Sequence, residues 1–528
     1  MLLREVNSVF SVVKPFTPTS NFPTVLRLFL LLLLSAPLFA QEAAIDRSLP
    51  EFDFNKLELA GELHFLASDY LGGRRTGAAG NEVAAEYIAS QLRAYGYDPI
   101  NAADSSYFQT VPLNRVNPPT EASLTIGQTT YTGGQEMIVL RGPATGVSGP
   151  VVYANYGWVD EEADHNDYEN LDVRGKIVIT RAGIPGAQGQ QAVFEGVQRK
   201  AEMAAAAGAV GVFEIYALPY PWEGFRGYLG GERMSFSSGN PPASIPYGFV
   251  NFTDGFVADL QTERANYSGE LISSGMRVED MSSRNVGGIL RGSDPALADE
   301  YLLMTAHFDH VGVGRQAGGP FTAADSIFNG ARDNAFGTVS LLATARAFAE
   351  VPPRRSIIVL AVTGEELGLL GSKYYADNPL VPLEQTVFNF NTDGAGYDDT
   401  TAISLIGANR TGIDPQVQAA AAAFGKRVIN DPAPEQGLFD RSDNVSFAAK
   451  GVPALTFSGG TTGFSDEIMQ YYHQAGDNPE TINMDYLKQY CQAFALAARL
   501  IANRDEAPFW VAGDKYEAAG KTLYDGSK

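Results

Sequence analysis

The carboxyl-terminal half of the sequence alternates between short apolar runs and segments with helical periodicity. The apolar runs, which we predict to be strands, lie at 301–306, 357–362, 386–390 and 453–457. The predicted helices lie between and after them, at 335–349, 367–377, 413–424 and 484–502. Apolar strands that alternate with helices are typical of α/β proteins, whose sheets are parallel or mixed. From about residue 276 onwards, the chain is therefore predicted to be an α/β domain.

Residues 116–275 have a different texture. Short β-rich runs at 150–153 and 175–179 are separated by Gly/Pro loops, and an alanine-rich helix leads into another apolar run at 210–215. A strand, a helix and a second strand in this order form a βαβ-like unit. We therefore predict a small β-rich domain over 116–275. It divides the main domain into an amino-terminal part, 41–115, and a main part, 276–528.

The amino terminus has the features of an export signal. Arg27 precedes the apolar run 28–34, and a small residue, Ala40, closes the segment. A membrane-spanning helix needs about 20 apolar residues, whereas Pro37 interrupts this run and acidic residues soon follow it. We predict that residues 1–40 are a cleaved signal peptide. The mature protein would then be periplasmic or extracellular, with no stable membrane anchor.

The composition restricts both the partners and the kind of metal site. Asp and Glu total 61 against 38 Lys and Arg, a net charge of −23, which disfavours nucleic acid as a partner. The single cysteine, Cys491, excludes an internal disulfide and a zinc site built from cysteines, and only five histidines are present. A metal site in this chain must therefore use carboxylates.

Residues of the types that bind metals follow the predicted strands. They are His307, Asp309 and His310 after the first strand, Asp333 in a glycine-containing loop, Glu365 and Glu366 after the second strand, Asp393 after the third, and His473 and Asp477 after the last. His307 and Asp309 are two residues apart on a strand end and project to one side, so Asp309 could orient His307. Ligands of open α/β sheets bind at the carboxyl ends of strands. Their convergence at one edge favours a functional site, although each residue alone is weak evidence.

An ordered set of motifs resembles the M28 family of zinc peptidases, which includes bacterial aminopeptidases and glutamate carboxypeptidase. The motifs are His64-Phe-Leu-Ala-Ser-Asp with Gly73-Arg, Ala306-His307-Phe-Asp309-His310, Gly330-Ala-Arg-Asp333-Asn334-Ala-Phe-Gly337, Glu365-Glu366-Leu-Gly-Leu-Leu-Gly-Ser372, Asn391-Thr-Asp393 and Tyr472-His473. The run Asp172-Val-Arg-Gly-Lys-Ile-Val-Ile is similar to part of a protease-associated (PA) domain. The resemblance implies a three-layer α/β/α sandwich around a mixed, mostly parallel sheet, with an inserted PA-like domain.

The resemblance also implies two zinc ions per chain. Asp333 would bridge the ions, His307 and Asp393 would complete the first site, and Glu366 and His473 would complete the second. The chemistry of these residues agrees with this assignment. Two ions roughly 3.5–4 Å apart need a shared carboxylate, and histidine with carboxylate ligands and open positions is typical of a catalytic site.

Further roles follow from the same resemblance. Glu365, which is not needed as a ligand, fits the general base, and Tyr472 could donate a hydrogen bond to the developing oxyanion. Asp309 would support His307 from behind. Arg332 and Phe336 depart from the family, because smaller or acidic residues are common at these positions of the bridging motif.

We predict a secreted di-zinc exopeptidase, specifically an aminopeptidase, with peptides or proteins as substrates. The alternatives at the same kind of zinc site are a carboxypeptidase, a dipeptidase or a glutaminyl-cyclase-like enzyme. A receptor-like binding protein without catalysis is an alternative of another class, but such relatives have lost ligands and here none is lost. A serine hydrolase is disfavoured because no G-x-S-x-G motif is found. The sequence leaves the oligomeric state open.

Overall fold

The computed structural model describes residues 52–187, 190–218, 221–237, 243–252 and 267–525. The predicted signal peptide, residues 1–40, lies outside them. The α-helices in the described part of the chain are α1 (Lys56–Leu66), α2 (Ala79–Tyr95), α3 (Gln190–Ala206), α4 (Trp222–Leu229), α5 (Phe336–Glu350), α6 (Leu370–Asp377), α7 (Asp414–Ala423), α8 (Asn444–Ala448), α9 (Asp466–Met469), α10 (Met484–Ala502) and α11 (Glu517–Asp525).

The strands form two larger sheets and two short hairpins. They are β1 (Asp98–Pro99), β2 (Phe108–Asn117), β3 (Ala122–Ile126), β4 (Thr129–Thr132), β5 (Met137–Arg141), β6 (Thr145–Tyr153), β7 (Val159–Asp160), β8 (His165–Asn166), β9 (Ile177–Arg181), β10 (Gly211–Ile215), β11 (Arg233–Phe236), β12 (Tyr247–Val250), β13 (Tyr267–Ser273), β14 (Arg277–Leu290), β15 (Tyr301–His307), β16 (Gly312–Val313), β17 (Ile327–Phe328), β18 (Ser356–Val362), β19 (Thr386–Thr392), β20 (Ala402–Ile406), β21 (Arg427–Asn430) and β22 (Ala454–Gly459).

The predicted alternation of strands and helices is confirmed. The strands predicted at 301–306 and 386–390 are β15 and β19, and the helices predicted at 335–349 and 484–502 are α5 and α10. The protein therefore has the predicted α/β class. The local pattern is clear here because β19 is buried along its whole length and β15 is buried after its first residue, so each strand is rich in apolar residues.

The large sheet is mixed, with the strand order β11-β2-β14-β18-β15-β19-β22-β20-β21 and with β1 paired beside β14. The central strands β18, β15, β19 and β22 are parallel, as are β20 and β21. The other five pairings between described strands are antiparallel. The prediction of a mostly parallel sheet is therefore not confirmed, because long antiparallel strands flank the parallel centre. The three-layer arrangement stays a prediction.

Aromatic side chains fix helices on the central strands. Phe494 of α10 stacks on Phe390 of β19, with ring centroids 4.6 Å apart. Tyr375 of α6 and Phe447 of α8 belong to a buried cluster that includes Leu360 of β18. This packing makes the parallel centre a rigid base for the loops that follow its strands.

A second, β-rich sheet lies within the segment predicted to be an inserted domain. Its order is β4-β3-β13-β6-β9-β10-β12-β5, and α3 connects the parallel strands β9 and β10 in the predicted βαβ unit. The chain leaves the large sheet after β2 and returns in β14, where Asn117 pairs with Arg277. Exit and return are thus adjacent. One strand of the segment, β11, pairs with β2 and belongs to the large sheet, and the exact domain boundaries stay a prediction.

No helix within the described ranges combines the length and the apolar character that a membrane crossing needs.

Candidate metal centre

The predicted site residues meet at the carboxyl ends of three adjacent parallel strands. His307 is the last residue of β15, Asp393 directly follows β19, and Glu366 lies in the turn after β18. Asp333 lies in the turn before α5, and His473 lies in the loop after α9. Neighbouring parallel strands end at the same edge of a sheet, so residues far apart in sequence share one site.

Asp333 lies between the two histidines. Its Oδ1 is 3.3 Å from His307 Nε2, which is also 3.2 Å from Asp393 Oδ1. Its Oδ2 is 3.3 Å from His473 Nε2, which is also 3.0 Å from Glu366 Oε2. Each oxygen of one carboxylate thus faces a different cluster of nitrogen and oxygen donors, which is the arrangement that a bridging ligand needs.

A third histidine, His310, also belongs to this site, although the sequence assigned it no individual role. Its Nδ1 is 2.7 Å from Glu366 Oε1, and its side chain is fully buried. Two groups in the described part of the chain have ligand atoms within 4.8 Å of one another: His307 with Asp333 and Asp393, and His310 with Asp333 and Glu366. The only sequence signal for His310 was its place in the motif that contains His307. The donor set of imidazole nitrogens and carboxylates fits zinc.

Asp309 connects His307 to the turn that carries Glu365. Its Oδ1 accepts a hydrogen bond of 3.2 Å from the Glu365 backbone N–H, and its Oδ2 accepts one of 3.0 Å from the Thr76 hydroxyl. His307 Nδ1 lies 3.3 Å from the Asp309 carbonyl oxygen and 3.7 Å from Oδ1. The nearer contact to the imidazole is therefore the backbone carbonyl, and the predicted orienting role of the carboxylate stays a prediction.

Arg74, from the Gly73-Arg motif, donates hydrogen bonds to backbone segments that carry site residues. The side chain is fully buried and donates hydrogen bonds to four backbone carbonyl groups: Leu66 at 2.5 Å, Asn329 at 2.6 Å, Phe308 at 2.7 Å and Gly330 at 2.9 Å. Phe308 directly follows His307, and Asn329 and Gly330 lie just before Asp333. One cation thus ties together the two segments that carry the first histidine and the shared carboxylate.

Buried histidines and carboxylates lie close together at this site, and each shifts the pKa of its neighbours. Burial opposes protonation of His307, but the Asp393 and Asp333 carboxylates outweigh it and hold its pKa well above the usual value. Burial likewise opposes protonation of His473, yet Glu366 and Asp333 raise its pKa to about 11. Burial opposes ionisation of Glu366, but His473 and His310 lower its pKa to about 2. The carboxylates therefore favour positive charge at the centre of this cluster.

Glu365 has the opposite behaviour. Burial, together with the nearby carboxylates of Asp393, Glu366 and Asp443, raises its pKa well above the usual value, although His307 opposes the shift. It belongs to neither group of clustered ligand atoms. Adjacent in sequence, Glu365 and Glu366 thus occupy different electrostatic environments.

A cleft of about 840 Å³, which includes its open mouth, leads to these residues. Its lining includes the charged residues Asp333, Glu365, Glu366, Asp393 and His473. The other lining residues are mixed: the apolar ones include Ile406, Pro432, Ala433, Leu438, Phe464 and Ile468, and the polar ones include Arg441, Ser442, Thr456, Ser458 and Thr461. Tyr472 also lines the cleft, and its ring stacks on that of His473 with centroids 4.1 Å apart. Burial first, and then Asp333 and Glu366, raise the pKa of Tyr472, so its hydroxyl keeps its proton.

Comparison with known proteins agrees with the sequence motifs. Residues 285–498 match the model of peptidase family M28, and residues 147–256 match that of the PA domain. Aminopeptidase YwaD of Bacillus subtilis (strain 168) is 25% identical over 449 residues, 84% of each chain. The probable lipoprotein aminopeptidase LpqL of Mycobacterium tuberculosis is 24% identical over 79% of this chain and 76% of that protein.

Solved structures share the fold. An aminopeptidase from Aneurinibacillus sp. strain AM-1 superposes with a TM-score of 0.59 and 20% identity, covering 86% of this chain and 95% of that chain. BSAP, a zinc aminopeptidase from Bacillus subtilis, has a TM-score of 0.50 and 22% identity over 87% of this chain and 98% of that chain. The predicted resemblance is confirmed by the peptidase family M28 match over residues 285–498 and the PA-domain match ahead of it, and the chain is a metallopeptidase hydrolase.

Proposed function

We propose that the chain is a di-zinc aminopeptidase that removes residues from the amino termini of peptides or proteins. The observation that carries this proposal is the position of Asp333, whose two oxygens face His307 and His473 at 3.3 Å each. Asp393 would complete the first site and Glu366 the second. The names of the relatives support aminopeptidase activity, and the name of one structural neighbour supports zinc.

The residues fit two divalent cations in charge as well as in ligand type. Three ligand carboxylates would balance three of the four positive charges, which leaves the site with a net positive charge. When bound, the ions would supply Lewis acidity that polarises the scissile carbonyl and acidifies a water molecule. Neutral imidazoles are needed as ligands, so His307 and His473 would release their protons on loading.

Glu365 is our candidate for the general base. It lines the cleft beside the ligands, and Asp309 accepts a hydrogen bond from its backbone N–H at 3.2 Å, which fixes the turn. A carboxyl group with a raised pKa is suited to take a proton from water and return it to the leaving amine. Bound cations would favour its ionised form and so bring the pKa down towards the working range.

Tyr472 is our candidate for stabilising the oxyanion. Its ring is held against that of His473, and its hydroxyl keeps its proton, so it can act as a hydrogen-bond donor. A donor placed at the cleft wall would stabilise the negative charge that develops on the carbonyl oxygen. The apolar side chains in the cleft lining, among them Ile406, Leu438 and Phe464, support a preference for substrates with an apolar first side chain.

Export is the second part of the proposal. Residues 1–40 would direct secretion, and the mature enzyme would act in the periplasm or outside the cell. Mass spectrometry of the mature protein from a fractionated culture tests this. A chain in the exported fraction that begins near residue 41 supports the proposal, and an unprocessed chain that stays with the cytoplasm contradicts it.

The activity is tested with one peptide in two forms. The zinc-loaded protein should release the first residue from a peptide with a free amino terminus, and it should fail on the same peptide when acetylated. A chelator should abolish the activity, and added zinc should restore it. Cleavage of the acetylated peptide from its carboxyl end would favour a carboxypeptidase instead. Zinc binding without cleavage of any peptide would favour a non-catalytic binding protein.

A further inference from the structure

Arg332, one of the two departures from the family motif, occupies a confined position beside Asp333. The side chain is buried, and its guanidinium lies 3.8 Å from the centre of the Tyr471 ring and 4.5 Å from that of Tyr397. Its two terminal nitrogens donate hydrogen bonds of 3.2 Å to the backbone carbonyls of Tyr397 and Thr481. The cation therefore contacts two aromatic rings and is hydrogen-bonded through both terminal nitrogens.

These partners belong to the segments that carry the predicted ligands. Tyr397 lies four residues after Asp393, Tyr471 lies two residues before His473, and Arg332 itself precedes Asp333. The loop after Asp393 approaches closely, because a Cβ atom at Gly396 would lie 3.1 Å from Arg332 Cδ. One side chain thus touches two ligand-bearing loops from a third.

The backbone at Arg332 is fixed to the same region. Asp477 accepts a hydrogen bond from the Arg332 N–H, 3.0 Å from each carboxylate oxygen, and another from the Asp333 N–H at 3.3 Å. Asp477 lies four residues after His473. Side chain and backbone together therefore set the position of the shared carboxylate relative to the second histidine.

An ordinary stabilising ion pair does not explain this arginine. The nearest carboxylate for an ion pair is Glu467 at 3.9 Å, and it is half exposed, so its contribution is small. A positive charge beside a site for two cations is also unfavourable. A lysine or an apolar side chain cannot replace the planar guanidinium, which contacts two rings and donates hydrogen bonds to two carbonyls at once.

We propose that Arg332 is a positioning residue that couples the loops of Asp333, Asp393 and His473 and thereby sets the zinc affinity of the site. This inference rests on the proposed function, because it takes these three residues as ligands. Residues behind metal ligands commonly change affinity by about 10- to 100-fold when they are replaced.

The test compares zinc affinities of three variants with the wild-type chain. Arg332→Met keeps an apolar stem of similar length but removes the fork. Arg332→Lys keeps a positive charge near the Tyr397 and Tyr471 rings but removes the planar guanidinium. The matched control is Arg355→Met: Arg355 is also fully buried and bonds backbone carbonyls, but it lies at the opposite end of β18 from Glu366. Affinities are measured by zinc titration of metal-free protein against a competing chelator, with thermal unfolding in chelator as the measure of stability.

Arg332→Met should bind zinc about 10- to 100-fold more weakly than wild type, and Arg332→Lys should show a smaller loss. Arg355→Met should lose thermal stability while its zinc affinity stays unchanged. If Arg332→Met does not fold, Arg332→Lys decides, since a loss supports the inference and wild-type affinity overturns it. Wild-type affinity in a folded Arg332→Met, or an equal loss in Arg355→Met, also overturns it. A wild-type chain that binds no zinc would overturn the proposed function itself.

Discussion

A buried ion pair in the PA domain gives a sharp prediction about stability. Lys200 of α3 and Glu214 of β10 lie 2.9 Å apart, and both side chains are fully buried. Burial raises the pKa of Glu214 and lowers that of Lys200, and each charge opposes the shift in the other. Glu214 also accepts hydrogen bonds from the Gly183 N–H at 3.0 Å and from the Tyr247 hydroxyl. We predict that Lys200→Met destabilises this domain strongly.

The size of the effect follows from what remains after the change. Removal of one partner of a buried pair costs about 3–5 kcal/mol, because the other charge stays uncompensated. Gly183 and Tyr247 still donate to Glu214, so the lower value of ~3 kcal/mol is expected. For a urea m-value of ~2 kcal/mol per M, the unfolding midpoint should fall by about 1.5 M.

Tryptophan fluorescence during urea unfolding measures the change, because Trp158 and Trp222 are both buried in this region. Lys200→Met combined with Glu214→Gln removes both charges and keeps an acceptor, so it should recover most of the lost stability. Arg199→Met, the exposed neighbour on α3, should cost less than about 1 kcal/mol. A Lys200→Met midpoint equal to that of wild type, or a double variant as unstable as the single one, would show that the buried charge of Glu214 does not need Lys200.

Three further outcomes are expected. Burial raises the pKa of Glu62 from 4.5 to about 7, so the free energy of unfolding should be full below pH 4.5 and should fall by up to ~3 kcal/mol as the pH rises to 7. The profile of unfolding free energy against pH should therefore be flatter for Glu62→Gln, and parallel profiles would contradict this. The Ser442 hydroxyl donates a hydrogen bond to Asp393, so Ser442→Ala should weaken zinc binding about tenfold, whereas Ser442→Thr should not. Equal zinc affinities of both variants and the wild type would show that this hydrogen bond does not support Asp393. Zinc should displace protons from His307 and His473. The binding enthalpy measured by calorimetry at neutral pH should therefore depend on the ionisation enthalpy of the buffer. Enthalpies independent of the buffer would show that the histidines are already neutral.

The parts of the structure that could be predicted are those with a local signal. The strands that carry His307 and Asp393 are uninterrupted apolar runs, and parallel strands bring their carboxyl ends to one edge. Parallel pairing therefore predicts that His307, Glu366 and Asp393 share one edge of the sheet. It also covers the PA-like segment, whose βαβ unit around α3 has the same kind of pattern.

The features that were missed depend on distant contacts. The antiparallel pairing of β2 with β14 spans the whole inserted segment, so no local pattern indicated it. His310 could not be distinguished from a surface histidine until its contact with Glu366 was known. The four carbonyl partners of Arg74 come from three separate parts of the chain. A backbone carbonyl carries no sequence signal, so the role of such an arginine emerges only from the fold.

Two neighbouring glutamates are proposed to have different roles, with Glu366 as a ligand and Glu365 as the base. Zinc content per chain, measured together with turnover, tests this directly in Glu365→Gln and Glu366→Gln. Glu365→Gln should keep two zinc ions and lose about 10²- to 10⁴-fold in turnover, the usual contribution of a general base. Glu366→Gln should lose the second ion. A Glu365→Gln enzyme with a near-normal rate, or one that loses an ion while Glu366→Gln keeps both, would contradict the assignment.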